Sequence, residues 1–155
     1  MMRDVQRTGA RSSVGALLRR PAVIVRHEVM ADLRDAGFDD VLPAHLGVFQ
    51  HPGPDGQRPG VLAQRTQASK QAMNHLLHQL ETGGYILRES HPDDRRTRVV
   101  RLTERGWQAA DVINQTMERL ETEWLSVLGE ETYAGLARAL EKLSEHFDQQ
   151  LRNGS

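Results

Sequence analysis

The chain has 155 residues, 38% of them hydrophobic and 26% charged, with a formal net charge of −1. This suits one folded, soluble domain rather than two domains or a disordered chain. The absence of cysteine excludes disulfides, zinc–thiolate sites and thiol redox sensing. No apolar run approaches the roughly 20 residues of a membrane span, and residues 1–20 lack the apolar stretch of a signal peptide. We therefore expect a cytoplasmic protein with no membrane partner.

Two helical segments are predicted in the N-terminal part. Ser12 or Ser13 is a candidate N-cap for the first segment. Pro21 either interrupts that segment or lies in the first turn of the next one, where a missing N–H is harmless. The second segment runs from Ala22 to Ala36, and Gly37 fits the position just after a helix end.

The middle of the chain begins with a short apolar segment at Pro43–Phe49 and the turn-forming sequence HPGPDGQRPG at His51–Gly60. A brief helix is predicted at about Pro59–Thr66, and a longer one at Ser69–Thr82 with Ser69 as its N-cap. Intervals of three and four place four apolar side chains on one face of the longer helix: Met73, Leu76, Leu77 and Leu80. The opposite face carries Gln71, Asn74, His75 and His78.

A basic hairpin follows this helix. Two short strands are predicted at Tyr85–Ser90 and Arg98–Leu102, joined by HPDDRRT. Residues 58–106 carry nine basic and five acidic side chains, whereas residues 107–155 carry four and nine. Such an asymmetry indicates a local anionic partner, with an ordinary solvated surface as the alternative.

Two long helices with near-heptad apolar stripes end the chain. Thr103 is the expected N-cap of the first helix, and Gly129 is its expected end. The first stripe is Trp107, Ala110, Ile113 or Asn114, Met117, Leu120, Trp124 and Leu128, and the second is Tyr133, Leu136, Leu140, Leu143 and Phe147. These stripes can pack on each other or against a second copy. They offer more apolar surface than a small winged helix can cover, so we expect a homodimer.

The predicted fold class is mainly α with a small two- to three-stranded β wing. Two helices followed by a hairpin form a winged helix-turn-helix pattern, placed at about residues 40–106 of a single domain spanning 1–155. Residues 12–37 and 107–151 are the flanking dimerisation helices. In this pattern a helix with a polar exposed face fits the DNA major groove, and a basic hairpin tip fits the backbone or the minor groove.

Two stretches of the sequence also resemble a known family. DDRRTRVVRLTERG resembles the wing-to-helix signature of the MarR (multiple antibiotic resistance regulator) family of transcription factors, an Asp-x-Arg followed by a strand and Leu-Thr-x-x-Gly. LAQRTQASKQAMNHLLHQLETGGYILR resembles its helix-turn-helix. The motifs cover about residues 40–107. The resemblance implies a homodimer bound to a palindromic DNA site, usually as a repressor released by a small molecule.

Candidate DNA contacts on the second helix are Ser69, Lys70, Gln71, Asn74 and His75. Gln71 and Asn74 can each pair with adenine in bidentate fashion, and Lys70 can reach guanine or phosphate. His75 is a candidate surface or phosphate contact. The alternative is an ordinary solvated helix face.

Candidate DNA contacts in the hairpin are Asp94, Arg95, Arg96 and Arg98. Asp94 and Arg96 match the family's Asp-x-Arg. We expect Asp94 to accept hydrogen bonds from the loop backbone or a guanidinium and to direct Arg96 outward, toward the enhanced negative potential of a narrow minor groove. Arg95 and Arg98 are predicted phosphate contacts. The alternative is an Asp-rich turn with solvated arginines.

Other functional classes are less well supported by the sequence. His27, Met30, His45 and Trp107 are candidates for an effector pocket between the long helices and the DNA-binding part, with ordinary core and surface positions as the alternative. His75 and His78 lack further ligands at metal-site spacing, so no metal or cofactor is expected. The sequence shows no phosphate-binding glycine loop or nucleophile constellation of an enzyme. The competing function is a winged-helix protein-interaction module without specific DNA binding.

Overall fold

The computed structural model describes residues 13–50, 56–91 and 93–153. These residues form helices and one antiparallel strand pair, in the order α1 (Val14–Asp35), a 3-10 turn (Pro43–His45), α2 (Leu46–Phe49), α3 (Pro59–Arg65), α4 (Lys70–Thr82), β1 (Ile86–His91), β2 (Asp94–Leu102), α5 (Glu104–Leu128) and α6 (Glu130–Asn153). Gln57 adds a single antiparallel bridge to Val100. The predicted fold class, mainly helical with a two- to three-stranded wing, is confirmed.

Helix α1 is continuous through Pro21, so both predicted alternatives, an interruption at Pro21 and a second helix that begins there, are wrong. The Oγ of Ser13 accepts a hydrogen bond from the Ala16 N–H at 3.3 Å and caps the helix, while Ser12 lies outside the described residues. Proline removes one helical donor, but Pro21 and Leu17 are both exposed, so water can satisfy the Leu17 carbonyl. The predicted end is confirmed: α1 stops at Asp35, and Gly37 adopts a φ of 88°.

The core lies where α4, the base of the wing, α1 and α5 meet. Met73, Leu77 and Leu80 of α4 are buried, as the apolar spacing predicts, and Leu76 is partly buried. Tyr85 and Ile86 continue this core into the wing, and α1 contributes Val29, Met30 and Leu33. Each such side chain contributes about 1.5–3 kcal/mol on full burial. The opposite, polar face of α4 is thereby left toward solvent.

The wing is longer than predicted. Its regular register runs from Ile86 opposite Leu102 to Ser90 opposite Arg98, which corresponds to the predicted strands. Beyond Ser90 the register shifts, and His91 pairs with Asp94. Residues 95–97 therefore form a bulge inside β2 rather than part of a turn. The first half of HPGPDGQRPG, residues 51–55, lies outside the described residues, as does Pro92.

Residues at the start of α5 attach the long helices to the wing. Thr103 is the N-cap, as predicted: its Oγ1 accepts from the Gly106 N–H at 3.1 Å and donates to the Gly84 carbonyl at 2.6 Å. A Cβ at Gly106 would lie 2.1 Å from the Tyr85 carbonyl oxygen, which explains why the Leu-Thr-x-x-Gly sequence needs glycine there. Gly129, with a φ of 76°, ends α5. Within the described ranges no helix is long and apolar enough to cross a bilayer.

Candidate nucleic-acid interface

Helix α4 presents the predicted polar face. The side chains of Lys70, Gln71, Asn74 and His75 are all exposed, as is that of Ser69 before them. The Oγ of Ser69 accepts a hydrogen bond from the Ala72 N–H at 3.1 Å, so this hydroxyl caps the helix and retains its proton for donation. The structure therefore brings the predicted contacts of this helix onto one accessible surface.

The turn that leads into α4 holds one residue in an uncommon conformation. Gln67 has a φ of 54°, the left-handed region that favours glycine, and its side chain is exposed. Its N–H donates to the Gln64 carbonyl at 3.2 Å, and the Ala68 N–H donates to the Ala63 carbonyl at 2.9 Å. These bonds close α3 and set the angle at which α4 leaves the turn.

Asp94 shapes the bulge of the wing. Its Oδ1 accepts from the Arg96 backbone N–H at 3.0 Å, and its Oδ2 accepts from the Thr97 hydroxyl at 2.7 Å. The Thr97 hydroxyl, followed by the Arg96 N–H, lowers the pKa of Asp94, so the carboxylate stays ionised. Of the two partners that the sequence left open, the loop backbone is therefore the one observed. Arg95, Arg96 and Arg98 are exposed at and beside this bulge.

Arg88 connects the wing to α4, and sequence reasoning missed it. From β1 its Nη2 donates to the Asn74 carbonyl at 3.1 Å, and its Nη1 donates to the Asn74 Oδ1 at 3.5 Å. Its Nε lies 3.5 Å from the Glu81 Oε2, yet this buried nitrogen makes no hydrogen bond. Nothing in the sequence around an arginine of a short basic strand predicts that its side chain contacts the neighbouring helix.

A second polar cluster, also missed, lies at the base of the wing. The Tyr85 hydroxyl donates to Asp40, and Arg105 donates to that hydroxyl at 3.0 Å and to Asp40 at 3.3 Å. Burial, followed by the hydrogen bond to Asp40, raises the pKa of Tyr85 to about 12. Burial works to raise the pKa of Asp40 as well, but the bond from Tyr85 and the charge of Arg105 outweigh it, and the net shift is downward. The Arg105 guanidinium also lies 4.6 Å from the Tyr85 ring centroid.

Comparison with known proteins identifies this architecture. The MarR family model matches residues 50–97, the stretch that holds α3, α4 and most of the wing. The MarR-family protein Rv2887 of Mycobacterium tuberculosis, solved in complex with salicylic acid, is 28% identical, with a TM-score of 0.60 over 86% of this chain and 97% of that one. This chain is therefore similar to MarR-family transcriptional regulators, in the sequence of residues 50–97 and in the fold over most of its length.

Further solved structures share the fold of this chain. The transcriptional regulator Tm0710 of Thermotoga maritima is 26% identical, with a TM-score of 0.55 over 88% of this chain and 94% of that one. FabT of Streptococcus pneumoniae, solved in complex with DNA, is 18% identical, with a TM-score of 0.72 over 88% and 96% of the two chains. A search of curated proteins found no match.

The four residues predicted to line an effector pocket do not surround one cavity. His27 and Met30 line a cavity of about 420 Å³ beside the Pro43 turn. His45 is buried in the core at 2% exposure, and Trp107 remains 43% exposed. Neither residue lines that cavity or the larger cavity between α1, α2 and α5. The His45 imidazole is instead hydrogen-bonded to the Leu42 N–H and to the Gln79 side chain.

A larger cavity of about 850 Å³ lies between α1, the Pro43 turn, α2 and α5. Its lining combines apolar side chains with a few polar ones and includes Arg26, Val29, Pro43, Phe49, Asn114 and Met117. This is the composition expected of a small-molecule site. Sequence periodicity could not find it, because its walls come from four separate elements. In the described part of the chain, no group of three or more His, Asp or Glu side chains is placed to hold a metal ion.

Proposed function

We propose that this chain is a sequence-specific DNA-binding regulator that acts as a homodimer and represses its target genes until a small-molecule effector releases it. The observation that carries the proposal is the connection between two exposed polar surfaces. The exposed polar face of α4 and the exposed arginines of the wing are joined through Arg88. The MarR family model covers this same part of the chain.

The two halves of this surface suit different parts of a DNA duplex. Helix α4 would enter the major groove, where Lys70, Gln71 and Asn74 meet base edges. The wing would lie along the backbone, with Arg96 in the adjacent minor groove and Arg95 and Arg98 on phosphates. The fold shared with FabT, which was solved bound to DNA, supports this arrangement.

The proposed dimer would form through the terminal helices. An apolar groove of about 610 Å³ runs between the first half of α1, the end of α5 and α6. On α6, Leu136, Leu140, Leu143 and Phe147 are all exposed, although their spacing is that of a buried stripe. A second copy of the chain would cover these side chains and would present the two α4 helices to the half-sites of a pseudo-palindromic operator.

The proposed effector would occupy the cavity of about 850 Å³. Rv2887, 28% identical, was solved with salicylic acid, which supports a small aromatic acid as the class to test first. Arg26 in the cavity wall offers the charge that such an acid requires. The ligand would act by favouring a dimer geometry whose α4 helices no longer match the half-site spacing, since a ligand with equal affinity for both geometries shifts nothing.

Selection of bound sites from a random DNA pool tests the proposal. We expect a consensus with dyad symmetry and half-sites about 10 bp apart. Electrophoretic shifts on that consensus and on scrambled DNA should then differ in affinity by at least about a thousandfold. Equal or absent binding to both would instead favour the alternative, a winged-helix module that binds protein.

A further inference from the structure

We infer that Arg88 determines specificity in DNA recognition. It holds the Asn74 carboxamide with the oxygen turned to the wing, so that the amide NH2 offers hydrogen-bond donors to the DNA. The inference deepens the proposed function and rests on it. It also replaces the expectation that Asn74 pairs with adenine in bidentate fashion. Arg88 touches no DNA in this account, so it acts as a positioning residue.

The geometry fixes the guanidinium at one edge of α4. Asn74 and Glu81 are seven residues apart, which places them two turns apart on the same side of the helix. Arg88 reaches both from β1: Nη2 lies 3.1 Å from the Asn74 carbonyl oxygen, and Nε lies 3.5 Å from the Glu81 carboxylate. Its side chain is only 27% exposed. The head group is therefore anchored independently of the Asn74 side chain.

The chemistry of the guanidinium then orients the Asn74 amide. Arginine has only donors, so the group that faces its Nη1 at 3.5 Å must be the amide oxygen rather than the amide nitrogen. That contact is long, but the positive charge of Arg88 strengthens it. The amide NH2 is left on the side away from Arg88, with two N–H groups available.

This orientation changes which base Asn74 can read. Bidentate pairing with adenine needs the amide oxygen to accept from N6 while the nitrogen donates to N7. With its oxygen held by Arg88, Asn74 supplies donors, which match the N7 and O6 of guanine or the O4 of thymine. The side chain of Gln71 makes no hydrogen bond within the described residues, so it keeps both functions and remains suited to adenine.

Site selection on matched variants tests the inference. Asn74→Ala identifies the base position that depends on Asn74, and the wild type should prefer guanine or thymine there. Arg88→Met keeps the aliphatic stem and removes the donors, so the preference should move toward adenine by at least about fivefold. Arg88→Lys, which keeps a charged donor, should retain most of the wild-type preference. Glu81→Gln is the control, because it removes the ion pair and leaves the Asn74 contacts in place.

A second variant tests the same point without altering Arg88. Asn74→Asp keeps the oxygen that faces Arg88 and replaces the NH2 by a second oxygen, so the preference for guanine or thymine should disappear. The inference is wrong if the wild type selects adenine at the Asn74-dependent position. It is also wrong if Arg88→Met weakens binding to all DNA sequences equally and leaves the base preference unchanged. That result would mean that Arg88 only supports the position of α4. A wild type that selects no consensus overturns the proposed function instead, and this inference with it.

Discussion

At the scale of single residues, the Tyr85 hydroxyl offers a direct test of how the wing is fixed. It links Asp40, in the segment between α1 and the Pro43 turn, to Arg105 on α5. Tyr85→Phe removes both bonds and should reduce the free energy of unfolding by about 1–3 kcal/mol near neutral pH. Chemical denaturation of the two proteins measures this difference.

The same pair of proteins has a predictable pH dependence. The native pKa of Tyr85 is raised to about 12, above the value of 10 for an ordinary tyrosine. The unfolded chain therefore loses this proton first, and the stabilisation is complete below pH 10 and disappears as pH rises through about 12. The stability gap between wild type and Tyr85→Phe should shrink across that window. A gap that stays constant from pH 9 to pH 12 would contradict it.

The wing arginines should not be equivalent. Arg96→Ala should weaken operator binding by on the order of 1–3 kcal/mol, more than Arg95→Ala, because a groove-inserted arginine also reads groove width. An arginine that contacts only phosphate contributes to the affinity for every DNA sequence. Its loss should change the slope of log affinity against log salt concentration by about one. Binding to operator and scrambled DNA at two salt concentrations separates the two roles.

Asp94 supplies a sharper version of this test. Asp94→Ala removes one negative charge, which makes the wing more positive, but it also removes the acceptor of the Arg96 N–H and the Thr97 hydroxyl. We expect weaker operator binding, similar to a mild Arg96→Ala. Asp111→Ala, at an exposed position of α5, makes the same change of charge away from the wing and is the control. If Asp94→Ala tightens binding and Arg95 and Arg96 are interchangeable, the wing is a plain basic patch.

At the scale of elements, the pairing of α1 with α5 depends on a charged contact. Asp32 of α1 accepts from the Thr116 hydroxyl at 2.7 Å and from Arg119 at 3.0 Å. These two hydrogen bonds, the one from Thr116 first, lower the pKa of Asp32. Its stabilisation is therefore complete above the ordinary carboxyl pKa and is lost as pH falls through the lower native value.

Replacing Asp32 should therefore matter at neutral pH and not in acid. Asp32→Leu should destabilise the protein by about 1 kcal/mol at pH 7, a modest value because the carboxylate is partly exposed and screened. The difference from wild type should shrink as pH falls below 3.8. Asp35→Leu, at the exposed end of α1, is the control. An Asp32 effect that persists unchanged in acid would count against this account.

The elements also show what the sequence could and could not predict. Local signals were enough for α4, since Ser69 caps it and its apolar spacing defines its buried face. Local signals failed at Pro21, where exposure removes the penalty of a missing donor, and at residues 95–97, where a bulge replaces the expected turn. The contacts of Arg88 and Arg105 join residues 14 to 65 positions apart, and no spacing rule reports which partner a long side chain finds.

At the scale of the whole molecule, the exposed leucines of α6 predict the oligomeric state. Sedimentation at tens of micromolar should show a dimer. Leu140→Glu should produce a monomer that remains folded, because Leu140 is 38% exposed in the single chain. Ala139→Glu places the same charge on the neighbouring exposed position and should leave the dimer intact. A wild-type monomer under these conditions would contradict the proposed assembly.

The His45 imidazole gives the large cavity a physical connection to α4. Its Nδ1 accepts from the Leu42 N–H at 3.0 Å, so its proton is on Nε2, which donates to the Gln79 side chain of α4 at 2.9 Å. Pro43 and Ala44, between Leu42 and this ring, form part of the cavity wall. An occupant that moves this wall must carry α4 with it or break one of these bonds. Such coupling is reciprocal, so DNA on α4 would alter the occupant's affinity by the same factor as the occupant alters the affinity for DNA. A regulator on its operator and one free in solution would then respond to different concentrations of the same compound.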